Sequence, residues 1–206
     1  HCIYIKYKKK KGENNMQERD LKILSFLTMC RICTRKQVQK VLFTNVHENI
    51  PLRRLKKLTD EGYINRKMFN VEGTKNMYVY YLDKQPKKKL ITHDLYITDF
   101  LVKLIKNGYE ILDFKKSPQI GNIIPDAYLK IRKNKRIKRI LLEVQISPND
   151  CLSKYKEIKE IIIENTDWPV MPTLYVINNQ GLNKRMKDIK VIYDSIKIEK
   201  VGDIID

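Results

Sequence analysis

Leu141-Leu142-Glu143-Val144-Gln145-Ile146-Ser147 decides how the second half of the chain is read. Together with Ile140 it gives ILLEVQI, too apolar to keep a solvent face, which predicts a strand buried on both sides. Side chains alternate along a strand, so Glu143 and Gln145 share one face. A carboxylate and an amide in so dry a place need partners. Another acid, Asp126, follows Pro125 and lies 17 positions upstream of Glu143.

Working outward, 137–146 is the long strand, 133–135 a turn, 126–131 a second strand, 121–125 a loop and 109–114 a first strand. Before them Ile97, Phe100, Leu101, Leu104 and Ile105 recur at helical spacing until Gly108 ends the helix. After the quoted stretch, Ser147-Pro148-Asn149-Asp150 opens a helix to about Glu164. Strands follow at 173–178 and 190–193, around a short helix near 181–187. Helix, three strands, helix, strand, helix, strand predicts an α/β sandwich around a mixed sheet, within a chain that is α+β overall.

The first half has a different pattern. From Gln17, Leu21, Leu24 and Leu27 line one helix face, widened by Ile23 and Phe26. Thr34 with Gln37 makes a capping box for a second helix carrying Val38, Val41 and Leu42. The third helix, 49–61, stops at Gly62 and places Leu52, Leu55 and Leu58 inward. Arg53 and Lys57 point outward, flanked by Arg54 and Lys56. Two strands at 63–69 and 77–82, joined by a turn-rich segment, complete a winged helix-turn-helix. Asn49, Arg53 and Lys57 are then the candidate base readers, with Arg54, Lys56, Arg66, Lys67 and Lys75 as phosphate contacts.

Charge agrees with this division. The net charge is +18, of which residues 16–89 hold +10, against +4 each for 1–15 and 90–206. A basic excess toward the N-terminal half points to a polyanion, and nucleic acid fits it best. A second cationic cluster lies between Lys130 and Arg139, where Arg132, Lys133, Lys135 and Arg136 sit at a hairpin end able to grip phosphates. No apolar run is long enough to span a membrane and no secretory pattern is present, so the expected location is cytoplasmic. Cys30 and Cys33 form a CxxC without further zinc ligands and read as two small semi-buried side chains.

The expected organisation is therefore 16–83 for the winged helix, 84–92 for a basic linker and 93–206 for the sandwich. Residues 1–15 are expected to be a non-native leader. Lys11-Gly12-Glu13-Asn14-Asn15-Met16 back-translates to a purine-rich ribosome-binding site followed by a start codon, which makes Met16 the expected start.

Pro125-Asp126 opening one strand and Glu143-Val144-Gln145 on the next resemble the restriction-endonuclease-like PD-(D/E)XK fold. The resemblance implies a site in which Asp126 and Glu143 share one Mg²⁺ or Mn²⁺ ion and a lysine at position 145 orients the attacking water. Gln145 can orient water but brings no positive charge; Lys154, Lys156 and Lys159 lie on the following helix, where Lys154 or Tyr155 could face the site. Asp126, Glu143, Gln145 and Lys154 are thus the catalytic candidates.

Over a longer stretch, RDLKILSFL at 19–27, RRLKKLTDEGYI at 53–64, His93-Asp94-Leu95, PDAYLKI at 125–131, LLEVQIS and Lys154-Tyr155 are similar to the replication-relaxation family of bacterial plasmids and mobile elements. That resemblance implies a double-stranded-DNA-binding accessory of replication initiation or of DNA relaxation and transfer. Its implied partners are replication or relaxase proteins of the same element, and a homodimer is compatible with it. The missing lysine favours a degenerate nuclease-like domain that holds DNA. The alternatives are a metal-dependent nickase or endonuclease using Asp126 and Glu143, and a winged-helix transcription repressor.

Overall fold

A computed structural model describes residues 16–70, 76–146, 152–179, 181 and 183–205. The expected leader at 1–15, the wing cation Lys75 and the helix start at 147–150 lie outside these residues. The described chain is mixed α+β, with five α-helices, a three-stranded sheet and a five-stranded mixed sheet. It divides into two compact units, one up to Val102 and one from Lys103.

In the first unit α1 (Glu18–Cys30) buries Ile23, Leu24, Phe26 and Leu27. Its successor α2 (Arg35–Leu42) begins at the expected capping box, with Gln37 N–H donating to Thr34 Oγ1 at 3.3 Å and Thr34 N–H to Gln37 Oε1 at 2.8 Å. Between the two helices lies β1 (Ile32–Thr34), which the sequence reading lacks. Three residues are too few to display alternation. The strand exists because it pairs with β3 (Met77–Tyr81), which also pairs with β2 (Asn65–Phe69), giving the order β1-β3-β2.

Helix α3 (Asn49–Asp60) buries Pro51, Leu55 and Leu58. Leu52, expected on the core face, is 40% exposed. At 100° per residue Pro51, Leu55 and Leu58 fall within a narrow arc, and Leu52 lies at its flank. What fixes α3 to α1 is an ion pair: the Nε and Nη2 of Arg54 both donate to the carboxylate of Asp20, which is itself buried.

Helix α4 (Ile91–Lys106) starts earlier than its apolar spacing from Ile97 indicates. Ile91 and Leu95 pack with Ile32, Phe69, Val79 and Tyr81 in the core of the first unit. Thr98 Oγ1 donates to the Ile32 carbonyl at 2.9 Å, and Gln37 Nε2 to the Leu95 carbonyl at 3.0 Å. The segment 84–92, expected as a linker, lies before the division at Val102, and its last five residues are already helical, a 3-10 turn at Lys88–Leu90 running into α4.

In the second unit β4 (Glu110–Lys116), β5 (Ala127–Lys133) and β6 (Arg136–Gln145) form an antiparallel meander. Two further strands, β7 (Thr173–Asn178) and β8 (Val191–Asp194), continue the sheet in parallel, in the order β4-β5-β6-β7-β8. The β5–β6 loop has two residues, Asn134 and Lys135, with φ of 50° and 65°, as a type I′ hairpin turn requires. Helix α5 (Ile158–Asn165), after a 3-10 turn at Ser153–Tyr155, lays Ile158, Ile161 and Ile162 on Tyr128, Leu141, Leu174 and Val176.

The helix expected near 181–187 is not formed at its described positions. Asn183-Lys184-Arg185-Met186-Lys187 has no apolar stripe to bury, and the Lys184 carbonyl instead accepts from the Tyr193 hydroxyl at 2.7 Å. Beyond β8, buried Asp194 accepts from the Tyr175 hydroxyl and from the N–H groups of Ser195 and Lys200, which holds the last 3-10 turn (Lys200–Ile204).

Breaking a buried pair leaves a charge without compensation. Asp20→Ala is therefore expected to destabilise the protein by about 3 kcal/mol or more. Urea denaturation measures this, and the double variant with Arg54→Leu recovers part of the loss.

Candidate functional site

Two places in the described chain carry the chemistry expected of it, one in each unit. In the second unit the site is built by β6. Ile140–Gln145 are buried, so Glu143 sits in the sheet with only 4% of its surface exposed. Asp126 directly precedes β5, and the pairing of Ala127 with Leu142 makes it the cross-strand neighbour of Glu143. The Asp126 carboxylate accepts from the Val144 N–H at 2.8 Å, which anchors it against the backbone of β6.

Glu143 is balanced from the 3-10 turn that covers this face. Lys154 Nζ lies 2.8 Å from Glu143 Oε1, and the buried Tyr155 hydroxyl donates to the same oxygen. Lys154 also donates to the Ile124 carbonyl at 2.8 Å, bridging the loop before Asp126 to the acid. Burial raises the pKa of Glu143 to about 7, and the charge of Asp126 pushes the same way. Lys154 and Tyr155 offset part of that rise.

The structure thus brings Asp126, Glu143 and Lys154 together, and Gln145 lies two residues along the same face, buried and paired in register with buried Asn178 on β7. Asn178 is a member of this polar patch that the sequence did not disclose. Nothing in the spacing links β7 to Glu143 until the parallel register is known. As a metal site the donor set is two hard carboxylates, one of them with its pKa raised to about 7 by burial and by the like charge beside it. Mg²⁺ or Mn²⁺ fits such a pair, completing its shell with water or phosphate oxygens. Among the described residues no group of three or more His, Cys, Asp or Glu side chains could hold a metal ion by itself.

In the first unit Asn49, Arg53, Lys56 and Lys57 are exposed on α3, with Lys57 Nζ 3.6 Å from the Glu61 carboxylate. Arg54 is not among them, because its guanidinium is spent on Asp20. On the β2–β3 hairpin Arg66 lies over the Tyr78 ring at 4.7 Å, and Lys67 donates to Gln85 at 3.1 Å. At the far hairpin of the second unit Lys135 and Arg136 are exposed, Lys133 lies over the Tyr109 ring at 4.7 Å, and Arg132 pairs with Glu110 at 2.6 Å. Arg136 Nη1 reaches the Ile205 carbonyl at 3.4 Å. Cys30 and Cys33 are buried free thiols, and burial pushes the Cys33 thiol well up, with Cys30 adding to it.

Among the described residues no helix is long and apolar enough to cross a membrane. No protein-family model matches the chain, and no curated protein or solved structure is detectably similar to it.

The raised pKa of Glu143 sets the direction of a pH effect. A proton held more tightly in the folded state stabilises it fully below the ordinary value of 4.5, and that contribution is lost as pH rises through about 7. Between those limits stability is expected to fall by up to about 3 kcal/mol, at 1.36 kcal/mol per pKa unit. Glu143→Gln, which cannot ionise, should flatten this part of the stability–pH curve in chemical denaturation.

Proposed function

We propose that the chain binds double-stranded DNA, the first unit acting as a winged helix-turn-helix and the second as a restriction-endonuclease-like scaffold. The observation that carries the reading is the exposed cationic face of α3, with Asn49 at its start and Arg53, Lys56 and Lys57 along it. A helix that buries Pro51, Leu55 and Leu58 and turns exposed Arg53 and Lys56 outward suits a major groove. The order α1-β1-α2-α3-β2-β3 supports the winged-helix assignment, and β4-β5-β6-α5-β7 around a mixed sheet supports the nuclease-like one. The sequence resemblance adds a context: an accessory of replication initiation or DNA transfer on a mobile element, working beside replication or relaxase proteins.

One observation favours a second reading, a metal-dependent endonuclease. Lys154 brings to Glu143 the positive charge that Gln145 lacks. A divalent ion, when bound, would polarise a phosphate and acidify a water. Asp126 and Glu143 would hold it, Lys154 would neutralise charge beside the scissile phosphate, and Gln145 would orient the water.

Binding to duplex is expected to weaken steeply with salt. Arg53→Ala should relax preference at one base position at a cost of about 1–3 kcal/mol, whereas Lys135→Ala should weaken all sequences alike and lower the salt slope by about one unit. Gel-shift and footprinting series measure both, and a footprint on origin-containing DNA with no preference over random duplex would remove the specific-reader role. Supercoiled plasmid incubated with Mg²⁺ or Mn²⁺ should stay intact. Nicking by the wild type that Asp126→Ala abolishes would replace holding by cutting.

A further inference from the structure

Trp168 is the single tryptophan of the chain, and it stands where neither candidate site needs it. Its ring stacks on Tyr128 with centroids 4.8 Å apart and planes 15° from parallel. Tyr128 is buried, while Trp168 keeps part of its surface exposed at the edge of a cavity of about 390 Å³. The guanidinium of Arg139 lies over the same ring, 5.7 Å from its centroid, and also acts on the Tyr128 hydroxyl. The Nε of Arg139 is buried without a hydrogen-bond partner. A cation therefore lies against an aromatic pair whose Trp168 member is partly exposed.

The walls of the cavity are polar. Gln119 and Asn165 bring amides, Asp113 and Asp167 bring carboxylates, and Lys115 is an exposed cation 3.8 Å from the Asp113 carboxylate. Gly121 has φ of +57°, and a Cβ there would fall 2.8 Å from Asn165 Nδ2, so its loop seats directly on the Asn165 wall. An aromatic ledge ringed by hydrogen-bonding edges suits a planar heteroaromatic with polar edges of its own.

The strand register places the ledge. Tyr128 pairs with Leu141 and Lys130 with Arg139, and Asp126 lies beside Glu143, all on one face of β5 and β6 by the two-residue period. Along that face a cationic rung is followed by the aromatic rung and then by the carboxylates. Phosphates held at Lys130 and Arg132 would leave the adjoining nucleotide over the cavity.

We infer that Trp168, stacked on Tyr128 in the cavity between β4, β5 and the end of α5, is a platform for an unpaired nucleobase of single-stranded DNA. The inference deepens the DNA-binding reading and rests on it. A base inside a duplex has both faces covered, so only an unpaired or extruded base can take the position. The platform would give the second unit a preference for opened DNA that the α3 face does not confer.

Because Trp168 is the only indole, its emission reports on this site alone. The full chain would be titrated with a fluorescently labelled oligo-dT strand, with an abasic deoxyribose-phosphate strand of the same length, and with duplex. Anisotropy follows binding and Trp168 emission follows stacking. The expected result is quenching by oligo-dT and not by the abasic strand, with the abasic strand bound roughly ten-fold or more weakly. Trp168→Ala should weaken oligo-dT binding roughly ten- to hundred-fold and leave duplex affinity unchanged, with Trp168→Phe intermediate. Circular dichroism establishes that each variant is folded, and Trp168→Phe carries the test if the alanine variant is not. Equal binding of both strands without a difference in emission would overturn the platform, as would duplex binding with neither strand bound. A wild-type chain that binds neither strand nor duplex would overturn the DNA-binding reading itself.

Discussion

The second unit depends on one constraint: β6 is buried on both faces from Ile140 to Gln145, so every polar group it carries must be satisfied inside the protein. Glu143 has no access to bulk water, and it is satisfied by Lys154 and Tyr155 reaching from the turn above. That turn leads into α5, whose isoleucines seal the same face. Asp126 is fixed through the Val144 N–H, and so its position follows from β6 as well. Remove the strand's burial and Glu143 loses its raised pKa and its lysine, and the two acids lose their geometry.

A similar logic holds in the first unit on a smaller scale. Asp20 is buried in α1, and Arg54 answers it from α3, so the orientation of α3 about its axis is set by a bidentate pair. With Arg54 committed inward, the outward cations are Arg53, Lys56 and Lys57. An arginine in a basic run thus serves the fold, while its neighbours remain available to a partner. The three-stranded sheet, with Val79 and Tyr81 packed on Ile91 and Leu95, supplies the other wall of that core.

Much of this was legible in the sequence, and the failures have local causes. Long amphipathic helices, the Thr34–Gln37 box and the buried ILLEVQI strand announce themselves through periodicity and capping chemistry. Strand β1 does not, since three residues become a strand only through the partner β3. Leu52 was misplaced because helical spacing alone cannot tell which edge of an apolar arc meets the core when Pro51 already fills it. Arg54 looks like a phosphate contact in sequence because its partner Asp20 lies 34 residues away. In the carboxylate site, Asp126, Glu143 and Lys154 were nameable from motif and spacing, whereas Asn178 required the β6–β7 register. Trp168 was invisible as part of a platform, because its partners Tyr128 and Arg139 come from two other strands.

The place from which the lysine comes bears on what the site can do. A lysine at position 145 would be fixed by the strand and would share the rigidity of Glu143. Lys154 instead arrives from a 3-10 turn, is one-third exposed, and is tethered at 2.8 Å to both Glu143 and the Ile124 carbonyl. In that position its first effect is on the ground state: it offsets the cost of burying a carboxylate beside Asp126. Catalysis would require the same ammonium to strengthen its contacts as charge develops on a phosphate, and each contact already made to the protein reduces what remains for the transition state. A lysine already committed to the ground state of a buried acid has less to offer a transition state, so within the proposed DNA-binding function this site favours holding DNA over cutting it.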